Sequence, residues 1–170
     1  LQELHKIYTN FDNVCSSLIV EITESAMLDD MERARRIILR CQEFGVRVAA
    51  DDFGTGYSSL TYLKCLPLNS LKIDRSFVTD LPHNQVDRDI VSGIVSIAHA
   101  LNLLVVAEGA ENEDQLESLR ALGCDQLQGY VISQPMPLEL IMNWQSAYQQ
   151  KYINPPAHEH DLSLFTLKAN

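Results

Sequence analysis

Acidic and amide side chains recur at one kind of place in this chain, directly after a short apolar run. The segments are Val20-Glu21-Ile22-Thr23-Glu24, Ala49-Ala50-Asp51-Asp52, Leu71-Lys72-Ile73-Asp74, Ala107-Glu108-Gly109-Ala110-Glu111 and Gln128-Gly129-Tyr130. Oxygen donors from Glu21, Asp51, Asp52 and Glu108 suit hard cations such as Mg2+ or Mn2+, and none of these segments offers a thiol or imidazole to recruit zinc. Two such ions close together would activate a water and clamp phosphoryl oxygens for in-line attack. Lys72 could hold or deprotonate that water, or stabilise charge on a phosphate.

Each residue alone has a plainer explanation. A single acid after a strand is often a helix N-cap, which would suffice for Asp52. A single lysine is usually a surface group. Four carboxylates, a lysine and a glutamine on five strand ends are another matter. Gathering so many acids is costly unless a cation joins them. The stretch Asp52-Phe53-Gly54-Thr55-Gly56-Tyr57-Ser58-Ser59 adds two glycines that free the backbone, and hydroxyls and amides that could order around a metal or phosphate.

The elements that must position these groups can be read from the pattern. Strands are expected over Ser17–Ile22, Val46–Asp51, Ser70–Ile73, Leu103–Ala107 and Asp125–Val131. Near-continuous apolar runs such as Leu103-Leu104-Val105-Val106-Ala107 predict strands buried on both faces, hence a parallel sheet. Helices are expected between them. One is capped by Asp29 or Asp30 and stopped by Gly45; others run from Asp87 to Leu101, Glu113 to Leu122 and Leu138 to Gln150. Alternation of this kind predicts an α/β fold, with the charged strand ends at the rim where α/β barrels build active sites. Five βα units are visible where a closed barrel needs eight, so the remaining units are expected upstream of a chain that starts without Met.

Composition narrows the classes. Of 170 residues, 46% are hydrophobic and 21% charged, as in an ordinary globular domain. No apolar run approaches the ~18 residues of a membrane span, and no signal-peptide core opens the chain. A formal charge of −10 argues against a DNA-binding surface, and makes any phosphate chemistry metal-mediated. Cys15, Cys41, Cys65 and Cys124 show no zinc spacing and are expected as free thiols in a cytoplasmic protein. Residues 151–170 lose all periodicity and are expected to form a poorly ordered tail; His158-Glu159-His160 has no third ligand beside it.

Taken in order from about Leu18 to Met136, the motifs Glu21-Ile22-Thr23-Glu24-Ser25, Asp51 to Ser59, Leu71-Lys72-Ile73-Asp74, Ala107-Glu108-Gly109 and Gln128-Gly129-Tyr130 resemble those of EAL domains. These are bacterial enzymes on a modified TIM barrel that hydrolyse cyclic di-GMP to linear pGpG with Mg2+ or Mn2+. The resemblance implies a (β/α)8 barrel truncated at its N-terminus, with residues 1–150 forming part of it. It implies metal ligation by Glu21, Asp51, Asp52 and Glu108, contact of Lys72 with the catalytic water, and a neighbouring place for Gln128. Asp74 lies where the family contacts nucleotide. Glu24 matches the glutamate that props the loop containing Gly54 and Gly56, a loop linked to dimerisation, so a homodimer is expected. Upstream sensory or GGDEF domains, and a membrane-tethered parent, are compatible with it. The Glu-Ala-Leu motif and the Asn-Leu-Ser asparagine, both ligand sources in the family, do not occur in residues 1–170. The chain alone is therefore expected to be inactive, and a cyclic di-GMP sensor or protein-interaction module is the alternative function. Ala110 and Asn112 replace a common valine and threonine beside Glu108, with little effect expected.

Overall fold

The structure, a computed structural model, describes residues 17–54 and 60–150, without the side chains of residues 60 and 61. Cys15, Gly56 and the expected tail lie outside the described residues. Of the described residues, those up to 133 belong to one compact unit of α/β type and those from 134 to 150 to a second.

The first unit contains β1 (Ile19–Thr23), α1 (Glu24–Asp29), α2 (Met31–Glu43), β2 (Arg47–Phe53), α3 (Leu60–Cys65), β3 (Ser70–Ile73), α4 (Gln85–Ala100), β4 (Leu104–Glu108), α5 (Glu113–Ala121) and β5 (Gln126–Gln128). A 3-10 turn, Arg75–Phe77, follows β3. The second unit holds α6 (Leu138–Tyr148), where the Trp144 and Tyr148 rings lie 5.1 Å apart. No helix among the described residues is long and apolar enough to cross a membrane.

All four strand pairings are parallel, in the order β1-β2-β3-β4-β5. This is the βα succession of a TIM-barrel-type fold. Register sorts the side chains. Val20 pairs with Val48, Ala50 with Leu71, Leu71 with Val105 and Ala107 with Leu127, so one sheet face carries the aliphatic set. Its central members Val48, Leu71, Ile73 and Val105 are fully buried in the same core as the helix residues Ile38, Val91, Ala98 and Leu119. The other face carries Glu21, Ala49, Lys72, Val106 and Glu108 by the same alternation.

The two faces differ in cover, which corrects the expectation of strands buried on both sides. Only the central β3 is buried throughout. On the second face Ile19 and Leu104 are 44% and 43% exposed. The helices cover one face, and the apolar runs could not distinguish burial on one side from burial on two.

Element ends shift for local reasons. Asp30, not Asp29, caps α2 by accepting from Arg33 N at 2.9 Å, and Gly45 ends it with φ of 77°. A separate helix, α1, fills the gap before Asp30 and was not anticipated. β5 stops at Gln128 because the chain folds back, with Ile132 and Ser133 donating to Gly129 O. α4 begins two residues before Asp87, since Asn84 Oδ1 accepts from Val86 N at 3.0 Å. Asn84→Ala is expected to cost about 1 kcal/mol, read as a lower denaturant midpoint at unchanged slope.

Candidate active site

Lys72 is the centre of the site. It occupies the middle strand at register with Val106, on the face that also carries Glu108 two residues further along β4. β1 and β2 bring Glu21 and Asp51 to the same face, since Glu21 pairs with Ala49 and Thr23 with Asp51. The Lys72 ammonium lies 2.8 Å from Glu21 Oε1, 2.9 Å from Asp51 Oδ1 and 2.5 Å from Glu108 Oε1. Its side chain is 7% exposed, against 20% for Asp51 and Glu108 and 46% for Glu21.

Burial alone would depress the lysine's pKa. Hydrogen bonding to Glu108, Glu21 and Asp51, with the charge of Glu108, outweighs that and holds it above the ordinary lysine value. Lys72 is thus kept as an ammonium, a donor that cannot accept a proton. One cation against three carboxylates leaves two negative charges uncompensated.

Two of these oxygens, Asp51 Oδ1 and Glu108 Oε1, are fully buried, and the Lys72 ammonium is the partner they share. Buried anionic oxygens with a charge deficit are what a hard divalent cation would satisfy. The donor chemistry of Glu21, Asp51 and Glu108, all carboxylate oxygens, suits such ions. Among the described residues no three Asp, Glu, His or Cys side chains close around a common point. The carboxylates converge on the ammonium instead.

The other expected residues are placed as follows. Asp52 sits where the β2–β3 register shifts, with φ of 55° and an exposed side chain, and is not among the three acids paired with Lys72. Asp tolerates this left-handed backbone better than most residues. Glu24 is 3% exposed, and its Oε2 accepts from Gly54 N at 3.1 Å, at the start of the loop it was expected to support. Gly54 has φ of 97°, and a Cβ there would lie 2.8 Å from the Phe77 ring. Asp74 accepts from Ser76 N at 2.9 Å and caps the 3-10 turn. Desolvation would raise its pKa, but the Ser76 hydroxyl and amide and the Arg75 amide hold it below the usual carboxylate value. Gln128 pairs with Glu108 in register and closes the row at the β5 end.

Three residues outside the expected set tie segments together, Asn69 at the N-terminal ends of β2 and β3 and the others beside the site loops. Asn69 Oδ1 accepts from Val48 N at 2.8 Å, and Arg75 pairs with Glu111 at 2.6 Å. Gln115 is buried and completes a capping box with Asn112. The Asn112-x-x-Gln115 spacing was the available signal for it.

The geometry has counterparts in known proteins. The family model described as "EAL domain" matches residues 1–135. The bifunctional diguanylate cyclase/cyclic di-GMP phosphodiesterase MucR of Pseudomonas aeruginosa is 49% identical over 127 residues, 75% of this chain and 18% of that protein. The crystal structure of the EAL domain of Mycobacterium smegmatis DcpA superposes with a TM-score of 0.79 at 39% identity, covering 86% of this chain and 66% of that one. Klebsiella pneumoniae BlrP1, solved as a manganese/cy-diGMP complex, gives a TM-score of 0.66 at 29% identity, over 71% of this chain and 31% of that one. The chain thus spans less than a fifth of MucR's length. The motifs that gather acids around Lys72 and the match over residues 1–135 lead to one conclusion: the chain belongs to the EAL domain family.

Proposed function

We propose that this domain serves a phosphodiesterase that hydrolyses cyclic di-GMP to linear pGpG with the help of divalent cations, Mg2+ or Mn2+. The observation that carries this reading is the convergence of Glu21, Asp51 and Glu108 on a buried Lys72, three carboxylates against one ammonium. MucR's name and the manganese/cy-diGMP complex of BlrP1 agree with it in substrate and ion type.

Glu21, Asp51 and Glu108 would hold the ions, with Asp52 joining them from the register shift. When bound, the ions would draw charge from the scissile phosphate and make a water more acidic. Lys72, as an ammonium, orients oxygen lone pairs and offsets negative charge that grows on the phosphate. A base role for Lys72 requires the ions to take over its carboxylates first, because those carboxylates hold its proton. Asp74 and Gln128, at the rim on either side of Glu108, would meet the nucleotide. Glu24 would keep the loop that starts at Gly54 in place, and pairing of two copies through that loop belongs to the same reading.

The test is product analysis with the full-length protein, using cyclic di-GMP in Mn2+ and in excess chelator. Linear pGpG in Mn2+ alone supports the proposal. Turnover that persists in chelator would remove the metal from it.

A further inference from the structure

We infer that Gln115 is a positioning residue for this site, latching the loop after Glu108 to the loop after Lys72; the inference rests on the metal-dependent reading above. Gln115 is 4% exposed, one of few buried polar side chains among the described residues. Both ends of its amide are used. Oε1 accepts from Glu111 N at 2.7 Å and from Asn112 N at 3.3 Å. Nε2 donates to Thr79 O at 2.9 Å.

The first pair of bonds belongs to helix capping, which uses the side-chain oxygen alone. The bond to Thr79 does nothing for α5. It reaches into the segment that follows β3, where Thr79 is itself tied to Arg75 O through its amide at 3.0 Å and its hydroxyl at 3.1 Å. Arg75 is three residues past Lys72, and Glu111 three past Glu108. One buried amide therefore joins the two loops that follow the closest ion pair of the site. The same loop is held on its far side, with Ala110 N donating to Gln128 O at 3.3 Å and Val131 N donating to Ala110 O at 3.0 Å. Gly129 has no room for a Cβ against the Ala110 backbone. The path from Glu108 to α5 is thus clamped between β5 and the post-β3 segment, and Gln115 is the clamp on the Lys72 side.

Two variants separate latch from cap. Gln115→Met fills a similar volume with no polar contact. Gln115→Glu keeps an acceptor for the Glu111 and Asn112 amides but sets a carboxylate against the Thr79 carbonyl. Groups that orient metal-holding side chains typically matter by roughly 10–100-fold. In the full-length protein, both variants are expected to weaken Mn2+ binding and lower kcat by at least about tenfold on that scale, with KM held within about twofold. Hydrogen exchange at the Glu111 amide should accelerate in Gln115→Met and stay near wild type in Gln115→Glu. Leu119→Ala, a core change on the same helix, should lower the melting temperature and leave Mn2+ affinity alone. Wild-type Mn2+ affinity in Gln115→Glu would reduce Gln115 to a helix cap and overturn the inference. A wild-type protein that neither binds Mn2+ nor hydrolyses cyclic di-GMP would instead overturn the reading beneath it.

Discussion

Replacing Lys72 with methionine is expected to lower stability by about 3 kcal/mol and to make the protein respond more strongly to divalent cations. The ammonium is the common partner of Glu21, Asp51 and Glu108. Methionine fills much the same space but leaves these acids facing one another. Removing one partner of a buried ion pair costs roughly 3–5 kcal/mol, and the lower end applies because Glu21 is nearly half exposed and water screens it. For a chain of this size that corresponds to a fall of about 6–12 °C in melting temperature. Divalent ions would then supply the missing positive charge, and stabilisation by a ligand grows with its occupancy of the folded state. Thermal denaturation in chelator and in Mn2+ measures both effects. A Mn2+-induced rise no larger in Lys72→Met than in wild type would show that ions and ammonium do not share these carboxylates.

Glu108→Gln is expected to separate activity from stability. The amide has the shape of the carboxylate and removes one of the two charges that Lys72 leaves uncompensated. Repulsion falls as a hydrogen-bonding contact weakens, so the melting temperature in chelator should change little. Turnover should fall by about 1,000-fold, the upper end for losing one electrostatic contributor at a reacting centre. The added stability conferred by Mn2+ should shrink with it. Steady-state kinetics and a melting curve on the same preparation test the pair of outcomes. Near-normal turnover would place the reacting phosphate away from the β4 end.

Much of this arrangement was legible from the residues. Strand-end placement put Glu21, Asp51, Lys72, Glu108 and Gln128 on one rim, because an acid after an apolar run in a βα unit points to the carboxyl edge of the sheet. The expected Ser70–Ile73 coincides with the observed strand, although two of its four buried residues, Ser70 and Lys72, are polar. Depth within the rim was not legible. The sequence does not reveal that Lys72 lies under the carboxylates, because that depends on register across three neighbouring strands. Asp51 and Asp52 look equivalent in sequence, yet the register shift between Ala50 and Phe53 sends Asp51 to the ammonium and leaves Asp52 exposed. Asn84, Asp87 and Asp89 are all competent helix-starting residues, and only backbone geometry chose Asn84. The burial of Gln115 is not legible either, because a glutamine on an amphipathic helix is usually solvated and burial is a tertiary fact.

The most direct measurement is pGpG formation by the full-length protein in Mn2+, with and without Glu21→Ala. Glu21 is the most exposed acid of the cluster, so its loss should leave the fold intact and report on chemistry alone. The account predicts linear pGpG from the wild type and none above background from the variant, at equal melting temperature. Equal product from both would contradict it, since a phosphodiesterase site built on the acids around Lys72 could not be indifferent to Glu21.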